Sequence, residues 1–285
     1  ISGDTRIKFE DKASMIGKAR SSFGAIYHQG KVYAAGGHQG AEHTYPPESF
    51  TGRTDVYDLK SNKWTNIASR NHKCHGFALA AYGDYVYAFG GFAYEESTSP
   101  KWKSLDVVER YDTRTNKWEV VGHMPRRRSS NVVAQVGSKV YLIGGWDSTP
   151  KFEDDVDGTF HDQIDVFDLE TETFKTLEAK LPKKRRAFSG FVKDGIIYLA
   201  GGISEGASHF GLLDDFTAFD PLTESFKEMP KLPFGTFAPA AGALGEEAFV
   251  FGGMLKMGEW EYDYISHVYR FDYKTNKWSN TGRYL

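Results

Sequence analysis

The chain has 285 residues, 40% of them hydrophobic and 15% aromatic, and a formal net charge of -3. A balance so near neutral excludes recruitment of nucleic acid or a membrane surface by bulk charge, so neither partner is expected and any electrostatic recognition must be local. The lone Cys74 excludes an internal disulfide framework, and apolar runs such as Val140 to Ile143 stop far short of the roughly 18 residues a membrane-crossing helix needs.

In chain order, the first element expected is an outer strand around Arg6-Ile7-Lys8-Phe9-Glu10, because Phe9 stands eleven residues before Arg20 just as Phe174 stands eleven before Arg185. Then a single unit is written five times. Gly-Gly pairs fall at 36-37, 90-91, 144-145, 201-202 and 252-253. An aromatic residue followed by aspartate comes after each pair, at Tyr57-Asp58, Tyr111-Asp112, Phe167-Asp168, Phe219-Asp220 and Phe271-Asp272. Six positions beyond each aspartate is a large aromatic: Trp64, Trp118, Phe174, Phe226 and Trp278.

The third copy shows the expected strands. Residues 130–136 and Lys139 to Ile143 read as two strands across the Gly137-Ser138 turn, the second apolar enough to be covered on both faces. Gly144-Gly145 ends the second. After a long loop, 164–167 and 173–177 read as a third and fourth strand joined by the turn after Asp168. Four antiparallel strands per unit, five times over, describe a β-propeller. The glycines let the second strand leave a crowded centre, the aspartate takes turn amides, and the outer aromatic fills the gap between units.

These motifs resemble the kelch repeat, whose signature is a glycine doublet, an aromatic-Asp pair and a Trp six residues on. The resemblance covers nearly the whole chain, with Phe in place of Trp at 174 and 226. It implies an all-β kelch-type β-propeller of five blades, with units of about 20–72, 73–126, 127–184, 185–234 and 235–285 in a single domain over 1–285, and 1–19 as a closing strand. The alternative is six blades with one incomplete. Five is favoured because an incomplete blade would expose sheet edges.

In kelch propellers the loops joining strands two and three, and those joining blade to blade, gather on one face. Here the first set is long in every copy, which marks a recognition surface. It carries Tyr45, Trp102, Trp146 and Trp260, expected as aromatic anchors, with His43, Tyr94, His161, His209 and Tyr262 nearby. Such aromatics also serve simply to pack loops on one another. Aligned on the doublets, the positions beginning each first strand read Arg20, Lys73, Arg127, Arg185 and Gly235. Four cations around one mouth would focus a positive field on the channel, and intracellular kelch adaptors are similar in holding acidic peptides there. The competing reading is that these cations pair with the acidic loops.

Other chemistries fit less well. Cys74 between His72 and His75 is similar to the crosslinked cysteine of galactose-oxidase-type copper enzymes, but the stretch 126–129 lacks the tyrosine. Asp154 to Gly158 looks like part of a calcium loop without its terminal Glu. Lys183 to Arg186 follows Pro182 and reads as a solvated turn. An enzyme on an acidic sugar, resembling the sialic acid mutarotases, would need a carboxylate such as Glu259 or Glu261 beside an arginine. The reading is therefore a non-catalytic recognition module for a protein or acidic peptide, without cofactor or metal, intracellular by default since no Asn-x-Ser/Thr site occurs, and part of a larger multidomain protein.

Overall fold

The computed structural model describes residues 4, 6–205, 211–258 and 261–285. Among them lie five antiparallel sheets of four strands, each ordered first to fourth from inside to outside. Blade one comprises Gly24–His28, Lys31–Ala35, Thr54–Asp58 and Lys63–Ile67. Blade two comprises Leu79–Tyr82, Tyr85–Tyr94, Trp102–Asp112 and Lys117–His123. In blade three they are Val132–Val136, Lys139–Ile143, Gln163–Asp168 and Thr173–Lys180. Blade four has Ser189–Lys193, Ile196–Ala200, Phe216–Asp220 and Ser225–Met229, and blade five Ala240–Leu244, Glu247–Phe251, His267–Asp272 and Lys277–Tyr284. First strands touch first strands of neighbouring blades, which sets the sheets around an axis. No described helix is long and apolar enough to cross a membrane.

Each repeated residue has its place in this plan. All five motif aspartates accept a turn amide: Asp58 from Ser61, Asp112 from Arg114, Asp168 from Glu170, Asp220 from Leu222 and Asp272 from Lys274, at 2.8–2.9 Å. The two aromatics of each copy lie opposite each other on strands three and four and touch, with ring centroids 4.7–5.4 Å apart. A stacked or tilted pair of this kind adds about 0.5–1.5 kcal/mol beyond its buried area. Both glycines of every doublet have positive φ. A Cβ on Gly36, Gly90, Gly144 or Gly201 would also sit only 2.5–3.0 Å from a carbonyl oxygen of the next blade, so these positions tolerate no side chain.

The amino-terminal segment departs from expectation. Among the described residues, 6–19 form no strand, Phe9 is exposed, and blade five supplies its own fourth strand. The segment instead acts as an inter-blade linker. The indoles of Trp118 and Trp278 donate to Ala68 and Pro230 in the preceding linkers, and Trp64 donates to Ala13 in the same way, at 2.8 Å. Upstream, the Asp4 N–H donates to Thr281, while its carboxylate meets Arg6 and Arg270 and its carbonyl accepts from Arg283. The segment is thus a strap from blade five to blade one. The Phe9-to-Arg20 spacing misled because linkers and fourth strands are adjacent in every copy.

Candidate functional site at the axial opening

The seams between blades are built on the residue sixteen before each doublet. That register gives Arg20, Cys74, Arg128, Arg185 and Thr236, which corrects the reading that aligned Lys73, Arg127 and Gly235 with Arg20 and Arg185. All five are folded inward. Arg20 pairs with Asp55 at 2.9 Å and Arg128 with Asp165 at 2.7 Å, with the side chains of both pairs at most 1% exposed. In blade two the cation comes from the linker: Arg70 pairs with buried Glu109 and donates to Cys74 Sγ at 2.8 Å and to the Gly90 carbonyl at 2.9 Å. Arg128 and Arg185 likewise donate to the carbonyls of Gly144 and Gly201. Thr217 and Tyr269 replace the carboxylate in blades four and five. Burial pushes the Arg128 guanidinium down to about 10 against the opposing effect of Asp165. Burial pushes the Asp165 carboxyl up, but Arg126, Arg128 and Thr176 together hold it below its ordinary value. These pairs need both partners, since either alone would be a desolvated charge. Arg20 and Arg185 therefore serve the seams and do not line a mouth. Lys73 and Arg127, one position earlier, are exposed.

The residues that do face the axis come one position later. Ser21, His75, Ser129, Arg186 and Phe237 each bridge to the residue just after a doublet, namely His38, Phe92, Trp146, Ile203 and Met254. One step on, Ser22, Gly76, Ser130, Ala187 and Ala238 all adopt φ of 52–64°. Their backbones join around the axis: Ala238 N–H donates to Ala187, Ala187 to Ser130, Ser130 to Gly76 and Gly76 to Ser22, at 2.7–2.8 Å.

Loops from blades one to three meet on this face as one aromatic cluster. Phe50, Phe92 and Trp146 are buried, with Tyr45, Tyr94, Trp102 and Phe160 packed on them. Tyr45 lies 5.8 Å from Trp102 and 5.0 Å from Phe92, and the Trp102 indole donates to the Ser148 carbonyl at 3.0 Å. The structure thus brings together Tyr45, Trp102 and Trp146 of the expected anchors; Trp260, with His209 and Glu259, lies outside the described residues. Arg186 lays its guanidinium 4.1 Å from the centre of the Trp146 ring, and burial pushes its pKa down to about 10 although Tyr45 and Tyr262 oppose this. His75 stacks against both Tyr45 and Phe50, at 5.7 and 5.4 Å, and sits 5.4 Å from His38. Burial, with His38 beside it, lowers His75 to about 3, so the ring is neutral. His38 makes its own bond to the Thr44 carbonyl at 2.8 Å.

Sequence reasoning missed the places of His75, His38 and Arg70. The signal for the two histidines was present: the residue after each doublet and the residue fifteen before that doublet form the opening in every copy.

The other chemistries resolve as follows. Asp155 is buried and its carboxylate accepts the amides of Lys151, Asp157 and Gly158, so the turn it sits in satisfies it without an ion. Among the described residues no group of three or more His, Cys, Asp or Glu is disposed to hold a metal. Burial pushes the Cys74 thiol up to about 11. Among the described residues the carboxyls with displaced pKa, such as Asp55, Glu95, Asp112 and Asp165, are displaced downward, opposite to what a general acid requires.

Residues 26–253 match the KLHDC2/KLHL20/DRC7 Kelch-repeats domain, and residues 236–282 match the Kelch motif. Kelch-like protein 35 of Mus musculus is 24% identical over 91% of this chain and 38% of its own length. Kelch-like protein terF of Aspergillus terreus is 23% identical over 80% of this chain and 48% of its own, and Alpha-scruin of Limulus polyphemus 26% identical over 73% and 22%. The chain spans less than half the length of these relatives. The solved structure of YjhT superposes with a TM-score of 0.70 at 15% identity, over 96% of this chain and 87% of that one, a likeness of fold. Kelch propellers typically mediate protein–protein interaction. Five blades, their doublets and turns, and a family match over most of its length make this chain a member of the kelch-repeat β-propeller family.

Proposed function

We propose that the loop face around the axis is a recognition surface for a protein segment of acidic character within a larger protein. The supporting observation is an aromatic cluster drawn from three blades, with the exposed cations Lys73 and Arg127 two residues before His75 and Ser129, which bridge to its Phe92 and Trp146. Tyr45 and Trp102 are half-buried and offer rigid faces to apolar side chains, whereas Trp146 is covered and holds Arg186 in place. Aromatic anchors ringed by charge are the arrangement in which a few residues carry most of the binding energy. Carboxylates of the partner would meet Lys73 and Arg127 at the rim, where charge governs the rate of encounter and its salt dependence. Arg20 and Arg185 have no part in this reading.

A random-peptide display library panned against the immobilised domain tests it. The selected peptides should be enriched in Asp and Glu next to an apolar residue, and the Lys73→Glu/Arg127→Glu protein should bind them about tenfold more weakly or worse, a loss of about 1.4 kcal/mol. Selected peptides without acidic excess, or with unchanged affinity for the double variant, would refute it.

A further inference from the structure

Four seams of the ring carry the same second bond besides the axial one. The N–H of each doublet's second glycine donates to the next blade: Gly37 to Cys74, Gly91 to Arg128, Gly145 to Arg185 and Gly202 to Thr236, at 2.8–2.9 Å. At the seam between blades five and one the equivalent bonds would run from Gly253 N–H to the Arg20 carbonyl and from Ser22 N–H to the Ala238 carbonyl. Neither forms. The wall has also receded there. No atom of blade one lies within 4 Å of a Cβ built on Gly252, where the other four doublets would strike the next blade's backbone.

A cleft of about 290 Å³ opens into this gap. Ser22, Tyr45 and His75 line one side and Ala238, Gly253 and Tyr264 the other; Glu42 is the one carboxylate in the lining, and no lysine or arginine lines it. Both ring nitrogens of His75 are buried without a hydrogen-bond partner. A neutral imidazole offers one N–H and one lone pair, and buried polar groups left unmatched are costly. The cleft therefore presents backbone donors, a backbone acceptor, an uncharged ring stacked on Tyr45 and the Glu42 carboxylate. Its complement carries a donor and an acceptor on one planar group and no negative charge.

We propose that this open seam binds an uncharged amide of the partner segment, in the place that the neighbouring blade's own peptide groups take at the other four seams. The proposal rests on the reading of this face as a peptide-recognition surface and adds to it an amide pocket beside the cationic rim. The amide is either the carboxamide of an Asn or Gln side chain or a peptide unit of the segment.

Titration of the full chain with acetamide, N-methylacetamide and acetate, followed by amide and imidazole nitrogen NMR, tests it. The expected result is saturable millimolar shifts at Ser22, Gly253 and His75 with one or both amides and none with acetate. Preference for acetamide identifies a side-chain carboxamide, and preference for N-methylacetamide a peptide unit. His75→Phe should weaken the amide roughly fivefold to tenfold, the loss of one hydrogen bond. Tyr264→Ala, at an exposed position, should also weaken it and serves if His75→Phe does not fold. Shifts that fail to saturate, acetate acting as well as the amides, or binding indifferent to Tyr264→Ala would overturn the proposal. Display-selected acidic peptides that still depend on Lys73 and Arg127 would leave the recognition surface standing while the amide pocket falls.

Discussion

The seam between blades two and three and the seam between blades five and one are made from the same repeat and hold by different means. At the first, Gly91 and Ser130 donate across the gap and Arg128 pairs with Asp165 beneath them. At the second the two backbone bonds are absent although Arg20 still pairs with Asp55, and Asp4, Arg6 and Ala13 bind blade five to blade one from the periphery. A repeat encodes contact with the copy that follows it in the chain. Blade five meets blade one, which is not the copy after it in sequence; there the peripheral bonds come from residues outside the repeat, and the inner edge of that seam is left open as a cleft.

The largest effect expected from breaking this comparison lies in the sewn seam. Asp165→Ala leaves Arg128 buried with only carbonyl partners and should cost about 3–5 kcal/mol in denaturant unfolding; a loss under about 1 kcal/mol would mean the pair is not the seam's anchor. Removing one strap bond is milder. Trp64→Phe deletes the donor to Ala13 and should cost about 1 kcal/mol, and unlike Trp118→Phe it should speed amide exchange at the seam of blades five and one.

Acid should discriminate next. His75 and His161 are held neutral, burial lowering them to about 3 and about 4. Below their ordinary value of 6.5 the unfolded chain binds protons that the fold refuses, so stability is full above about pH 6.5 and falls as pH drops toward 4. Combining His75→Phe with His161→Gln should flatten that slope in a pH series of melting curves. The strap persists further into acid, because hydrogen bonds from Arg6 hold the Asp4 carboxyl at about 2. Its contribution is present above the ordinary carboxylate value and lost as pH falls through about 2. The smallest effect is chemical: Cys74, buried with its thiol raised to about 11, should react with a thiol reagent only on unfolding, and labelling of the native protein at neutral pH would contradict the seam's closure around it.

Much of this architecture was legible because the repeat's markers act locally. An aspartate that caps its own turn and an aromatic that meets its partner across one hairpin work the same way in each copy, so spacing alone locates them. The seams were less legible. In Arg126-Arg127-Arg128 three like residues stand in a row, one half-buried and paired with Asp165, one exposed and one buried, and nothing in their identity separates them. Only the sixteen-residue interval to the doublet does. In blade two even that fails, since Cys74 occupies the position and Arg70 reaches in from the linker. The opening at the fifth seam has no marker, because it consists of bonds that are not made.

Hydrogen exchange at the inner ring tests the central claim most directly. Gly76, Ser130, Ala187 and Ala238 donate around the axis, as do Gly37, Gly91, Gly145 and Gly202 across their seams, whereas Ser22 and Gly253 do not. The amides of Ser22 and Gly253 should exchange on the order of 100-fold faster than their eight equivalents. Protection of those two equal to the rest would show a ring sewn alike at all five seams and would contradict this account.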